Sequence, residues 1–126
     1  MSRIPTRAGQ ALALSGLLAT SGVAHFVAPR PFDAIVPTSL PGSPRAWTYL
    51  SGVAELATAV ALAMPRTRRV GGLAAAALFL GVFPANVKMA RDWHDRPLPC
   101  RIAAYARLPL QVPLVCWGLR VARSGR

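Results

Sequence analysis

The sequence predicts an all-α protein: a four-helix transmembrane bundle, up-down-up-down, with both termini cytoplasmic. Three observations predict it. Four apolar stretches, about residues 8–28, 46–64, 70–90 and 102–121, take up most of the 126 residues. Each is close to the ~20 mostly apolar residues that cross a bilayer at a rise of ~1.5 Å per residue. Hydrophobic residues make up 53% of the chain and mean hydropathy is +0.38, whereas soluble domains hold ~45–50% apolar residues even with Gly counted. Fifteen Lys and Arg against four Asp and Glu give a net charge of +11, and the basic residues gather at the ends of the apolar stretches. Membrane proteins keep cations there for orientation and for contact with anionic lipid. That placement makes the lipid bilayer the expected partner and argues against nucleic acid. At this length the chain holds one domain, residues 1–126.

The first stretch follows Arg3 and Arg7. Gly22-Val23-Ala24 has the small-residue pattern of a signal-peptidase site, but the apolar run continues through Phe26-Val27-Ala28. The run is also long for a signal core of ~7–15 residues, so it reads as a retained span. Residues 29–45 form the first connection, with prolines at 29, 31, 37, 41 and 44. Pro31 suits the first position of a short helix in which Phe32, Ile35 and Val36 share a face, and this connection is expected to fold over the outer mouth of the bundle. Pro65-Arg-Thr-Arg-Arg69 is a short basic turn, and residues 91–101 are a loop of mixed charge that contains Cys100. Trp47 and Trp93 are placed like interfacial anchors. One side collects Arg3, Arg7, Arg66, Arg68, Arg69, Arg120, Arg123 and Arg126; the other collects Arg30, Arg45, Arg91, Arg96 and Arg101. This excess of basic residues directs both termini to the cytoplasm and defines a multi-pass protein of the cytoplasmic membrane.

Depth sorts the polar residues inside the spans. His25 lies near the outer end of span one, and Glu55 lies near the midplane of span two. Asn86 and Lys88 are near the outer end of span three. Arg107 and Gln111 are five and nine residues into span four. All fall in the outer half; the inner half is almost pure Ala, Leu, Val and Gly. A charged residue at a helix centre costs ~2.5–3.5 kcal/mol on insertion scales, so such groups face the bundle interior and mark candidate sites. Arg107 is the expected partner of Glu55. Because spans two and four are diagonal in a four-helix ring, both side chains would alternatively share a central cavity. Tyr49, Gly52 and Glu55 are three apart and line one stripe, with Gly52 leaving space beside the carboxylate. Pro84, Pro109 and Pro113 free backbone carbonyls of the preceding turns, which adds polar lining. The candidate ligand-binding set is therefore His25, Tyr49, Glu55, Asn86, Arg107 and Gln111, with Glu55 and His25 as candidates for proton chemistry. A plain alternative is an ion pair that only fixes helix register.

His25 has no clustered Cys or second His, so no metal site is expected; His94 falls in a loop and is expected to be solvated. Cys100 and Cys116 are sixteen residues apart, ~24 Å along a helix, too far for a disulfide. Nucleotide-binding Gly-rich loops, GxSxG and HExxH are absent. The Ala and Gly run at 71–77 allows close helix contact, within the chain or in a homo-oligomer.

Four motifs in order resemble the DoxX-like family of small four-span membrane proteins. They are His25-Phe26-x-x-Pro29-x-x-Phe32-x-x-Ile35-Val36-Pro37, Tyr49-x-Ser51-Gly52-x-x-Glu55-Leu56, Phe83-Pro84-Ala85-Asn86-x-x-Met89-Ala90 and Arg107-Leu108-Pro109-x-Gln111, within about residues 10–120. The resemblance implies a membrane bundle associated with thiosulfate:quinone oxidoreduction, or a partner or assembly factor of a membrane complex. On the first reading a quinone is the implied cofactor, with Arg107 and His25 donating to its oxygens and Glu55 carrying a proton. On the second, the chain is a non-catalytic accessory subunit with a membrane protein partner. The lack of a cysteine pair separates it from the vitamin K epoxide reductase type of redox bundle.

Overall fold

A computed structural model describes residues 7–124; Arg3 and Arg126, which enter the charge bias, lie outside the described residues. Among the described residues all regular structure is helical: α1 (Arg7–Val27), α2 (Arg30–Asp33), α3 (Pro44–Ala63), a 3-10 turn (Pro65–Thr67), α4 (Arg68–Gly81), α5 (Phe83–Asp92) and α6 (Leu98–Ser124). Four stretches of it are long and apolar enough to cross a membrane: Ala8–Val27, Pro44–Ala63, Pro65–Asp92 and Leu98–Arg123. The outward faces carry Leu12, Leu50, Val53, Val60, Leu80 and Val112, all more than half exposed. A soluble monomer rarely shows so much apolar surface, so these faces are consistent with contact to lipid and a multi-pass membrane location.

Local chemistry sets the helix ends. Ser43 Oγ accepts the Ala46 N–H at 3.2 Å, and Pro44 follows at the first helical position, so α3 begins with a side-chain cap and a preset φ. At its other end Thr67 Oγ1 donates to the Ala61 carbonyl at 2.7 Å, and Arg68 Nε donates to the Leu62 carbonyl at 3.0 Å. These bonds satisfy carbonyls that a helix end leaves orphaned. The third span is broken at Val82, where α4 stops and α5 starts. Pro84 lies two residues beyond the break and cannot donate to the preceding turn. The fourth helix starts earlier than its apolar pattern indicates. Cys100 and Arg101, read above as loop residues, belong to its first turn, where both N–H groups reach the Pro97 carbonyl at 2.9 and 3.2 Å. Pro99 is tolerated there because first-turn N–H groups lack intrahelical partners.

The helices form a ring in which α1 packs on α3, α3 on α4, α4 on α6 and α6 back on α1. The ring has two unlike ends. Toward the 65–67 turn, Ala11, Leu14, Leu18, Ala59, Leu62, Ala75, Phe79 and Val121 make a dry core. There α4 and α6 touch through backbone: a Cβ on Gly72 would lie 2.5 Å from Ala122 N, and one on Gly118 would lie 2.8 Å from Ala76 N. Toward the connection at residues 28–43, the strap, the interior is open and holds the buried polar residues His25, Glu55, Asn86 and Gln111.

Candidate functional site

The open end holds a cavity of about 430 Å³ walled by all four long stretches and by the strap. Most of its lining is apolar, including Leu18, Phe79, Leu110 and Leu114 from the helices and Phe32, Ile35, Val36 and Leu40 from the strap. His25, Glu55, Asn86, Arg107 and Gln111 also line it. Tyr49 does not. Its ring stacks on Phe26 with centroids 5.2 Å apart, and its hydroxyl accepts from Arg45 Nη1 at 3.5 Å. The buried stripe of α3 is Thr48, Gly52, Glu55, Ala59 and Leu62, so Tyr49 is one residue, ~100° of rotation, away from it. Gly52 does not leave space beside the carboxylate either. A Cβ there would lie 2.7 Å from Phe26 Cε2 and 3.0 Å from His25 Cβ, because α1 crosses α3 at this point.

The partner of Glu55 is not Arg107. Glu55 is 8% exposed; its Oε1 accepts from Ser21 Oγ at 3.2 Å, and its Oε2 stands 3.2 Å from His25 Nδ1. All three residues come from the close α1–α3 contact. His25 Nδ1 is also 2.6 Å from the Ser21 carbonyl oxygen. A carbonyl can only accept, so Nδ1 carries a hydrogen and directs it there. Glu55 Oε2 is thus close to a ring nitrogen but receives no directed hydrogen bond, and it is buried without one. The His25 ring is held from its other side by Phe32 of α2, stacked at 3.8 Å between centroids. Arg107 is exposed and, among the described residues, makes no hydrogen bond or ion pair, yet it borders the same cavity.

Across the ring, Asn86 Nδ2 donates to Gln111 Oε1 at 3.3 Å, with both residues 7% exposed. This leaves Gln111 Nε2 buried without a partner. The cavity therefore holds two stranded polar atoms of opposite kind: Glu55 Oε2, which accepts when ionised, and Gln111 Nε2, which donates. Each unmet group of this sort costs ~1–3 kcal/mol.

The strap is fastened from two sides. Asp33 Oδ1 accepts from Thr48 Oγ1 at 2.6 Å and Oδ2 from Arg45 Nε at 2.8 Å. The bond from Thr48, and then the Arg45 guanidinium, hold the Asp33 carboxyl below its ordinary value. Lys88 Nζ donates to the Ala34 carbonyl at 3.1 Å and pairs with Asp92. Trp47 Nε1 donates to the Pro41 carbonyl at 2.6 Å. Sequence reasoning singled out neither Asp33 nor Thr48. The available signal was Thr48 at seven residues before Glu55, which puts both on one helix face. His94 sits in the 93–97 connection, exposed, with Nδ1 2.7 Å from the Arg91 carbonyl. Among the described residues no group of three or more His, Cys, Asp or Glu is placed to hold a metal ion, and Cys100 and Cys116 are free.

Among the described residues, fold and cavity together define a helical bundle with four stretches long and apolar enough to cross a membrane and a mainly apolar cavity bordered by a few polar groups. Residues 14–122 match the family described as a domain of unknown function, DUF8561, and the chain belongs to that family. This is a family distinct from the DoxX-like one that the four motifs resemble. No curated protein and no solved structure matches the chain.

Proposed function

We propose that this chain is a DoxX-like membrane component that binds a quinone-class amphiphile in the strap-end cavity. The observation that carries the reading is the pair of stranded atoms, Glu55 Oε2 and Gln111 Nε2, on the wall of one mainly apolar cavity. Small-molecule sites of ~300–1,000 Å³ with apolar walls and a few convergent polar groups are the common pattern. A head group bearing carbonyl or hydroxyl oxygens fits both atoms. Gln111 Nε2 and the Arg107 guanidinium donate to a carbonyl oxygen, and Glu55 Oε2 accepts from a hydroxyl. A bound quinone supplies two-electron, two-proton chemistry. The residues of this chain hold and orient its head: Glu55 is the proton carrier, the Ser21 hydroxyl holds the carboxylate with the His25 ring beside it, and Phe32 closes the mouth. All four DoxX-like motifs contribute to this wall, through His25, Glu55, Asn86 and the pair Arg107 and Gln111, which supports the finer kinship.

An accessory or assembly role, in which the polar cluster only holds the bundle together, predicts a dry and fully paired cluster. The stranded atoms and the cavity favour the binding role. Extraction of the protein in mild detergent, followed by mass spectrometry of co-purifying small molecules, tests it. A quinone-class lipid near one per chain, lost in Gln111→Leu, is expected; identical small-molecule content in both proteins contradicts it. The orientation belongs to the same proposal: up-down-up-down, termini cytoplasmic, strap outside. In a Cys116→Ala background, Cys100 should react with an impermeant maleimide on intact cells. Reaction only after lysis reverses the topology.

A further inference from the structure

The opposite end of the bundle carries a second cleft, unrelated to the cavity. It lies between α4 and α6, has a volume of about 400 Å³, and is lined by Arg69, Leu73, Leu119, Ala122 and Arg123. The two helices meet in reverse order, Gly72 against Ala122 and Ala76 against Gly118. Arg69 and Arg123 therefore stand together at the rim, and Leu73 and Leu119 lie together one turn deeper, ~6 Å in. Leu73 is 50% and Leu119 37% exposed. The backbone contact at Gly72 and Gly118 closes the groove floor. Both arginines are exposed, and among the described residues neither makes a hydrogen bond or ion pair. Arg68 beside them is already committed to the Leu62 and Ala63 carbonyls. No acidic side chain pairs with them: the four of the sequence, Asp33, Glu55, Asp92 and Asp95, all lie elsewhere. Arg66 and Arg120 add to the same unbalanced end.

We infer that this cleft is a binding site for an anionic phospholipid: Arg69 and Arg123 grip the phosphodiester, and Leu73 and Leu119 receive the start of an acyl chain. Guanidinium groups present forked N–H donors matched to phosphate oxygens. Basic pockets between spanning helices that face an anionic leaflet take such head groups. The layering of cation above apolar wall excludes a simple inorganic anion as the best occupant, since half of the cleft would then stay wetted hydrocarbon.

Native mass spectrometry of the full chain in detergent, titrated with phosphatidylglycerol or phosphatidylcholine, tests this. The unaltered chain is expected to bind phosphatidylglycerol at least about ten-fold more tightly. Arg69→Gln with Arg123→Gln should weaken it by about twenty-five-fold, roughly five-fold for each cation lost. A charge-matched control, Arg30→Gln with Arg91→Gln at the strap end, should change it by less than about two-fold. Millimolar inorganic phosphate should not displace the lipid. Equal affinity for the two lipids, or equal weakening by the two double variants, overturns the site in favour of diffuse attraction to the net positive charge. Displacement by phosphate alone overturns the lipid as occupant. If the Gln variant does not fold, the lipid selectivity of the unaltered chain and of Arg69→Lys with Arg123→Lys, expected to retain binding, decides the question.

Discussion

The two ends of this bundle solve the same problem in opposite ways. At the turn end, Gly72 and Gly118 let α4 and α6 meet backbone to backbone, the core is Ala, Leu, Val and Phe, and the hydroxyls of Ser15 and Thr58 are satisfied by the Ala59 and Ala54 carbonyls. At the strap end, the same four long stretches surround His25, Glu55, Asn86 and Gln111 and leave about 430 Å³ unfilled. Packing density stabilises the first end. The second gives up packing and keeps three buried polar atoms without a partner, Glu55 Oε2 and Gln111 Nε2 on the cavity wall and Arg101 Nε in the first turn of α6, a cost that stability alone does not explain. The contrast teaches that the close-packed end acts as the clasp that lets the other end stay open.

Breaking the clasp should give the largest effect. Gly72→Ala places a Cβ 2.5 Å from Ala122 N and 2.7 Å from the Gly118 carbonyl oxygen, both backbone atoms that cannot swing aside. A loss of about 2–3 kcal/mol is expected in reversible unfolding in mixed micelles. Gly16→Ala, which meets nothing within 4 Å, should change stability by less than about 0.5 kcal/mol. Equal effects at the two positions would show that the close α4–α6 contact is not the clasp.

The strap can be loosened without touching the clasp. Asp33→Asn weakens the bonds from Thr48 and Arg45 and should raise amide exchange at residues 32–36 by roughly ten-fold, about 1–2 kcal/mol of local opening, with little change in global unfolding. Acid should do the same. A carboxyl whose folded pKa is depressed contributes stability above its unfolded value of ~3.9, and the contribution is lost as pH falls through the folded value. Protection of the strap should therefore be level from about pH 7 to 5 and fall below about pH 4. A fall centred near neutral pH would show that Asp33 is not what fastens the strap.

The smallest effect sharpens the picture of the cavity. A double-mutant cycle between Glu55→Gln and Arg107→Ala should show a coupling under about 0.5 kcal/mol, because the two groups share no bond. The Glu55→Gln and Ser21→Ala cycle should exceed it. A Glu55–Arg107 coupling of several kcal/mol would restore the ion pair that the arrangement of α1 and α3 excludes.

These residues also show what was legible beforehand. The span lengths, the short helix in the strap and the shared depth of His25, Glu55, Asn86, Arg107 and Gln111 follow from apolar run length and rise per residue. Which groups touch does not, because depth fixes height along a helix but not rotation about it or distance across the ring. Glu55 and Arg107 have compatible heights on α3 and α6, yet the tight crossing of α1 on α3 at Gly22 and Gly52 puts Ser21 and His25 nearer. Tyr49 was assigned to the wall by a stripe of threes, whereas the buried face follows fours and threes through Thr48, Gly52 and Glu55. The interruption at Val82 has a visible cause in Pro84; it is a kink, since the Val82 and Asn86 N–H groups still reach the Leu78 and Val82 carbonyls at 3.0 Å.

Trp47 lies on the wall of the cavity and gives the most direct test of the central claim, that the strap end is open in order to hold a ligand. In a chain carrying Trp93→Phe and Trp117→Phe, reconstituted in nanodiscs, Trp47 fluorescence is titrated with a short-chain quinone. Saturable quenching is expected, with an apparent affinity at least about ten-fold weaker in Gln111→Leu, which removes the stranded donor. Linear, unsaturable quenching that is the same in both proteins would show a quinone dissolved in lipid and a cavity that does not recognise it.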